Sequence, residues 1–157
     1  MDQQLSRSVS PVSPHLVVAG GAEAMEFYER AFGARELVKF EGPDGKLMHG
    51  CMLINGATVM LVDEMPEWKA LGPKALGGTA VTIHLQVENA DKVAQQAIAA
   101  GAKVVMPVED AFWGDRYGIV EDPFGHKWSI AHTVKQMTEA ELKEAARKAM
   151  CGEGTKT

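Results

Sequence analysis

An internal repeat with a spacing of 68 to 69 residues constrains the fold of this chain more than any other feature of its sequence. Three matches in the same order at nearly one offset indicate that the chain contains two copies of one structural unit. The matching pairs are His15-Leu16-Val17-Val18 with His84-Leu85-Gln86-Val87, Ala31-Phe32-Gly33-Ala34-Arg35 with Ala99-Ala100-Gly101-Ala102-Lys103, and Gly56 with Gly125. A length of 157 residues accommodates two such units around one core and excludes an assembly of several large domains.

Each unit begins with a strand followed by a helix. Polar and apolar side chains alternate along residues 81–87, which predicts a strand with one packed face. Apolar side chains at the spacing i, i+3, i+4 and i+7 predict one helix in each unit. These positions are Ala24, Phe27, Tyr28 and Ala31 in the first unit, and Ala90, Val93, Ala94 and Ala97 in the second. Asn89 is a predicted N-cap, and Gly33 and Gly101 are predicted to end the two helices.

Three strands are predicted after each helix, separated by residues that favour turns. The predicted strands are 37–41, 47–54 and 58–62 in the first unit, and 103–108, 116–120 and 128–132 in the second. Asn55-Gly56 is a strong hairpin signal, and Asp122-Pro123-Phe124-Gly125 is the corresponding turn of the second unit. The sequence therefore predicts an α+β fold of two tandem βαβββ units.

The remaining segments complete the predicted organisation of the chain. We predict a flexible lead at 1–11, the first unit at 12–64, a linker or flap at 65–78, the second unit at 79–134, a C-terminal helix at 138–150 and a tail at 151–157. Thr138-Glu139-Ala140-Glu141 has the pattern of a capping box. The apolar face of the helix behind it needs a cover, which either the sheet or a second subunit can supply.

Charge and composition exclude several classes of partner. The formal net charge is −5, and lysine and arginine form no cluster larger than a pair, so we expect no nucleic-acid partner. No stretch approaches the roughly 20 apolar residues of a membrane span, and the N-terminus has no apolar signal region, so we expect a cytoplasmic protein without a membrane partner. Cys51 and Cys151 cannot build a disulfide framework. Phosphate loops and nucleophile elbows are absent from the sequence.

Residues 12–134 resemble the vicinal oxygen chelate superfamily, and within it the PhnB-like branch of the glyoxalase/bleomycin-resistance/dioxygenase type. The segments that carry the resemblance are Pro14-His15-Leu16-Val17-Val18, Ala24-Met25-Glu26-Phe27-Tyr28, Phe32-Gly33-Ala34, Val62-Asp63-Glu64, Phe112-Trp113-Gly114-Asp115-Arg116 and Asp122-Pro123-Phe124-Gly125-His126-Lys127-Trp128. The resemblance implies two units whose sheets curl around a cavity, a homodimer, and a small-molecule ligand or substrate with neighbouring oxygens held on a metal.

The resemblance also implies where metal ligands would stand. The usual ligand positions fall on Ser13, Met60, Thr82 and Ser129, none of which is a good metal ligand. His15 and His84 lie two residues further along the two first strands, on the same strand face. With carboxylates or water, this pair would hold one divalent ion such as Zn, Ni, Fe or Mn. The alternative is that both histidines line the cavity and bond to neighbouring groups or to a ligand.

Other side chains complete the candidate cavity. Arg116 suits a carboxylate or phosphonate on the ligand, or else forms an ion pair with Asp115 or Glu121. Trp113, with Phe112, is a candidate aromatic wall for a planar ligand. The full set of predicted ligand-binding positions is His15, His49, Cys51, Met60, Thr82, His84, Trp113, Arg116 and Ser129.

Three functions are compatible with these residues. The first is a metal-dependent lyase or isomerase that acts on a small oxygenated substrate, although Met60 and Ser129 stand where a glutamate base is usual. The second is a metal-free protein that sequesters a small molecule, as drug-resistance proteins of this type do. The third is a structural or regulatory dimer with a vestigial cavity. The sequence assigns no catalytic residue.

Overall fold

The structure is a computed structural model that describes residues 9–152. The first unit comprises β1 (His15–Val18), α1 (Gly21–Phe32), β2 (Arg35–Glu41), β3 (Leu47–Ile54) and β4 (Ala57–Asp63). The second comprises β5 (Thr82–Gln86), α3 (Ala90–Ala100), β6 (Lys103–Asp110), β7 (Asp115–Glu121) and β8 (Lys127–Thr133). A 3-10 turn (Pro66–Trp68) and the short helix α2 (Pro73–Leu76) lie between the units, and α4 (Glu139–Gly152) follows them. The predicted pair of βαβββ units is confirmed.

Each unit forms one four-stranded mixed sheet. The strand orders are β1-β4-β3-β2 and β5-β8-β7-β6, so the two sheets repeat the same topology. In each sheet the first strand pairs in parallel with the last, and the other pairs are antiparallel. The two sheets do not close into a barrel. Helices α1 and α3 contact each other, and each packs on one face of its own sheet, which leaves the opposite face of each sheet open.

The repeat extends to the way the two helices begin. Asp63, at the end of β4, accepts hydrogen bonds from the backbone N–H groups of Gly20 and Gly21 at 2.8 and 3.0 Å. His132 holds the corresponding position in β8, and its Nδ1 accepts from the backbone N–H of Ala90 at 2.9 Å. These contacts satisfy N–H groups that a helix start leaves unpaired. The predicted cap is confirmed as well, because the Asn89 side chain accepts from the third residue of α3.

The core lies between the helix-facing sides of the two sheets. Trp128 and Tyr28 are fully buried there, so Trp128 faces the packed side of its strand. The Asp122 carboxylate accepts from the Tyr28 hydroxyl at 2.6 Å and from Trp128 Nε1 at 2.9 Å. Its other oxygen accepts from the backbone N–H groups of Phe124 and His126 at 2.9 Å. One carboxylate thus ties the turn of the second unit to helix α1 of the first.

Two further contacts join the units at equivalent places in the repeat. The Asn55 side chain, in the hairpin turn of the first unit, donates from Nδ2 to the Gln86 carbonyl on β5 at 2.7 Å. His126, after the turn of the second unit, donates from Nε2 to the Val17 carbonyl on β1 at 2.9 Å. Each turn therefore reaches the edge strand of the other unit and fixes the position of the two sheets relative to each other.

The predicted ends of the chain need correction. Within the predicted flexible lead, Ser10 is tied to β4, since its N–H donates to Thr58 Oγ1 at 2.9 Å and its hydroxyl accepts from the Thr58 N–H at 3.0 Å. Residues 1–8 of the lead lie outside the described part of the chain. Helix α4 continues to Gly152, so the first two residues of the predicted tail are helical, and 153–157 again lie outside the description.

The capping box of α4 is confirmed by reciprocal bonds between Thr138 and Glu141. No residue of α4 is buried in the chain. Among the helices of residues 9–152, none combines the length and the apolar character needed to cross a membrane.

Candidate functional site

The open face of the first sheet brings four of the predicted positions together. His15 on β1 pairs in register with Met60 on β4, and Met60 pairs with Cys51 on β3. The ring of His49, on β3, lies 6.1 Å from the ring of His15 in an edge-to-face arrangement. Burial raises the pKa of the Cys51 thiol, so it stays protonated at neutral pH and is a poor nucleophile.

His15 also lines a cavity beside the linker between the units. The cavity has a volume of about 410 Å³ and lies between β1, the start of β5 and helix α2. Most of its lining is apolar, with Leu16, Leu71 and Ile83 among the contributors. His126 lines it too, but its Nε2 is bonded to the Val17 carbonyl.

The open face of the second sheet holds His84 in a closed hydrogen-bond network. His84 pairs in register with Ser129, and its Nδ1 lies 2.8 Å from the Ser129 hydroxyl oxygen. Its Nε2 lies 3.0 Å from Oε1 of Gln86, whose amide nitrogen donates to the Thr133 hydroxyl at 3.3 Å. Because an amide oxygen only accepts, Nε2 donates to Gln86, and in the neutral imidazole Nδ1 then accepts from Ser129. The lone pair of the imidazole is therefore occupied.

Aromatic rings continue from His84 across the same face. The Tyr117 ring stacks against His84 at 6.3 Å with an interplanar angle of 16°. The Trp113 ring lies 5.3 Å from Tyr117 at 74°, and the Phe112 ring lies 5.0 Å from Trp113 at 89°. We call Phe112, Trp113, Tyr117 and His84 the aromatic face. Trp113 is oriented by a hydrogen bond from Nε1 to Asp115 Oδ2 at 3.1 Å.

Tyr117 and Asp115 were missed at the sequence level. Both residues lie on β7. In this strand Ile119 pairs with Ser129 and Tyr117 pairs with Ala131, so the odd-numbered side chains of β7 lie on the same face of the sheet as Ser129. The alternation was readable from the sequence, but the register between β7 and β8 was not. Without that register nothing in the sequence tells which side chains of β7 share a face with His84.

Arg116 lies on the other side of the same strand, facing helix α3. Its guanidinium forms two hydrogen bonds to Asp91, at 2.7 and 2.8 Å, and a third to Asp110 at 3.0 Å. The predicted ion pair of Arg116 with Asp115 or Glu121 is wrong. Side chains alternate along β7, so both carboxylates lie on the open face of the sheet, opposite to Arg116. The hydrogen bonds from Arg116 hold the pKa of the Asp91 carboxyl below its usual value. Arg116 is thus turned away from the aromatic face.

The residues present do not fit the metal that the fold family implies. The neighbour of Met60 on β1 is His15 rather than Ser13, and the neighbour of Ser129 on β5 is His84 rather than Thr82, which pairs with Lys127. Methionine and serine thus stand beside the two histidines. In the part of the chain that the structure describes, no three histidine, cysteine, aspartate or glutamate side chains are grouped so that they could hold a metal ion. The donor set lacks the carboxylates that would complete such a site.

Comparison with known proteins assigns the family. The sequence model of the Glyoxalase/Bleomycin resistance protein/Dioxygenase superfamily matches residues 10–130. The chain belongs to this superfamily. It is 51% identical over 137 residues to the uncharacterized protein Rv0887c of Mycobacterium tuberculosis, a match that covers 85% of this chain and 81% of that protein. It is 30% identical over 150 residues to the protein YjdN of Escherichia coli, covering 82% of this chain and 99% of YjdN.

Solved structures show the same superfamily fold. TioX from Micromonospora sp. ML1 matches with a TM-score of 0.63 and 27% identity over 79% of this chain and 98% of TioX. A PhnB protein from Bacillus cereus matches with a TM-score of 0.59 and 16% identity, over 79% of this chain and all of that chain, which shows the fold alone. The resemblance to the glyoxalase/bleomycin-resistance/dioxygenase superfamily is thus confirmed, and the solved PhnB protein shares its fold.

Proposed function

We propose that this superfamily member binds a planar small molecule on the aromatic face, and that it does so without a metal held by its own side chains. The observation that carries the proposal is the series of rings on the open side of the second sheet. Trp113 and Tyr117 are half-buried, and Phe112 is 48% exposed, so their ring surfaces are accessible to a ligand. Aromatic side chains with a few fixed polar groups are the usual lining of a small-molecule site.

The hydrogen bonds around His84 support binding over metal catalysis. Ser129 and Gln86 occupy both ring nitrogens, so ligation of a metal would require the loss of at least one of these bonds. The same bonds fix the plane of the imidazole beside Tyr117. Because its neighbours already hold the His84 ring in place, this ring loses little conformational freedom when a planar ligand stacks on the aromatic face.

We infer further that a second copy of the chain covers the open faces. Phe40 pairs with His49 on the open side of the first sheet and is 56% exposed, and Phe112 lies on the open side of the second. Apolar side chains exposed on a sheet face favour association. A homodimer that brings an open face of one protomer against an open face of its partner would enclose the ligand.

The binding proposal is tested with acridine as a planar probe, using calorimetry on protein purified without a tag. Acridine binds the wild type in the presence of EDTA, and Trp113→Leu weakens binding by about tenfold or more, as expected for the loss of a stacking partner. Trp68→Leu is the matched control, because Trp68 is 72% exposed on the linker and is not part of the aromatic face.

Two outcomes contradict the proposal. One is an absence of acridine binding, or binding that Trp68→Leu weakens as much as Trp113→Leu does. The other is binding that EDTA abolishes and added Zn, Ni, Mn or Fe(II) restores, which would favour the metal-dependent lyase or isomerase instead. Circular dichroism of each variant confirms that the fold is retained.

A further inference from the structure

Carboxylates that form no ion pair in the described part of the chain lie beside the aromatic face, and Arg116, the basic group nearest to the face in sequence, is turned away from it. Arg116 precedes Tyr117 on β7, but its guanidinium is bonded to Asp91 and Asp110 on the helix side of the sheet. An anionic ligand on the aromatic face therefore does not meet the guanidinium of Arg116, although the position of Arg116 in the sequence suggests that it would.

Two carboxylates, those of Asp115 and Glu109, lie on the open side of the second sheet. Asp115 accepts a hydrogen bond from Trp113 with one oxygen. Glu109 on β6 pairs in register with Tyr117, so its side chain lies on the same face as that ring. Over residues 9–152, neither carboxylate takes part in an ion pair. No ion pair in this part of the chain therefore neutralises the negative charge of Asp115 or of Glu109.

The two lysines on the strands of this face lie at its other end, and Lys135, which lines a cleft with Phe112 and Asp115, is paired with Glu141 at 3.8 Å. Lys127 on β8 and Lys103 on β6 both pair in register with Glu121, at the end of β7 away from Asp115. Tyr117 pairs with Ala131, four residues further along β8 from Lys127. Lys103 and Lys127 therefore lie beside Glu121, at the end of the sheet opposite to the one that carries Trp113.

We propose that the aromatic face selects a planar organic cation over neutral and anionic molecules of the same shape. This inference rests on the proposed function and adds the charge of the ligand to it. The faces of tryptophan and tyrosine rings attract cations through their quadrupole. Two carboxylates beside those rings strengthen the attraction and repel anions. The ligand class is a flat, delocalised cation, because the stacked pair of Tyr117 and His84 suits a flat partner.

Three acridines that differ in charge and share one ring system test this inference. The probes are N-methylacridinium, neutral acridine and acridine-9-carboxylate, titrated calorimetrically at about pH 8 and low salt. We expect the cation to bind about tenfold more tightly than acridine, and the carboxylate to bind most weakly. Salt weakens binding of the cation and leaves that of acridine nearly unchanged.

Variants assign the selectivity to the two carboxylates. Asp115→Asn keeps an oxygen that accepts from Trp113, and Glu109→Gln keeps the shape of the side chain. Each is expected to reduce the preference for the cation over acridine, measured as the ratio of the two Kd values in the same variant, about threefold to tenfold. Glu29→Gln removes the same charge from an exposed position on α1, and it is expected to change neither the binding of the cation nor the binding of acridine.

The outcomes separate this inference from the proposal on which it rests. If acridine or its carboxylate binds as tightly as the cation, the inference is overturned and the binding of planar molecules stands. If the two carboxylate variants weaken all three probes alike, their role is structural and the inference is again overturned. If none of the three probes binds, both proposals fail.

Discussion

The buried carboxylate of Asp122 holds the turn of the second unit in place. It is 3% exposed and receives four hydrogen bonds, from Tyr28, Trp128 and two backbone N–H groups. A buried carboxylate is tolerated when donors of this kind replace its hydration. Burial first, and Asp122 second, raise the pKa of the Tyr28 hydroxyl well above its usual value.

Tyr28 is one of two tyrosines in the chain, so its titration can be isolated. Its pKa is higher in the folded than in the unfolded chain, so this group stabilises the fold up to the unfolded value near 10 and that contribution is lost at higher pH. We predict that absorbance near 295 nm shows at most the amplitude of one tyrosine until the protein unfolds in alkali.

Tyr28→Phe provides the matched control for this titration. The variant is expected to give the same amplitude as the wild type while folded, and one tyrosine less after unfolding. The prediction is contradicted if the folded variant shows a smaller amplitude than the folded wild type, because Tyr28 would then ionise in place.

At the scale of elements, Arg116 connects three of them. Its guanidinium on β7 binds Asp91 in the first turn of α3 and Asp110 at the end of β6. A planar guanidinium matches a carboxylate with two parallel bonds, which fixes direction as well as distance. The cluster orients α3 on its sheet and leaves the opposite side of β7 to the aromatic face.

This ion pair makes stability depend on pH. Arg116 lowers the pKa of Asp91, so the contribution of the pair is present above the unfolded carboxyl pKa near 4 and is lost as the pH falls through the folded value. Asp91→Asn is therefore expected to lower the urea midpoint at about pH 7, and the difference from wild type is expected to shrink at about pH 3. Glu29→Gln serves as the control, with little change at either pH. A difference that stays constant or grows in acid would rule out the ion pair as its source.

Local signals in the sequence predicted the elements well, and long-range register limited the prediction of the site. The Asn89 cap, the capping box of α4 and the Asn55-Gly56 turn depend on residues within four positions of one another, and all three are observed. The partners of Arg116 and the tie between Ser10 and Thr58 depend on residues far apart in sequence. A single sequence carries no direct signal for such pairs, so Tyr117 and the orientation of Arg116 emerged only from the structure.

At the scale of the whole molecule, the two open faces and helix α4 leave apolar surface uncovered. The charged residues of α4 pair with each other, as in the ion pairs of Lys143 with Glu139 and of Arg147 with Glu144. Phe40 and Phe112 remain exposed on the two sheets. Association with a second copy is the simplest way to bury such surface in a small protein.

The homodimer is tested by analytical ultracentrifugation. Wild-type protein is expected to sediment as a dimer, and Phe40→Glu is expected to shift it towards the monomer, because a carboxylate in an apolar interface is costly. Leu76→Glu is the matched control, since Leu76 is 66% exposed on helix α2 rather than on an open sheet face. A monomeric wild type, or equal dissociation in both variants, would contradict the proposed interface.

The most direct test of the proposed function is to map where a planar molecule binds. Isotope-labelled protein in EDTA is titrated with acridine, and amide and indole resonances are followed by NMR. We expect the largest shifts on the Trp113 indole and on the amides around His84 and Tyr117. The proposed function is contradicted if the largest shifts fall around His15 and the linker cavity, or if no shift occurs until a divalent metal is added.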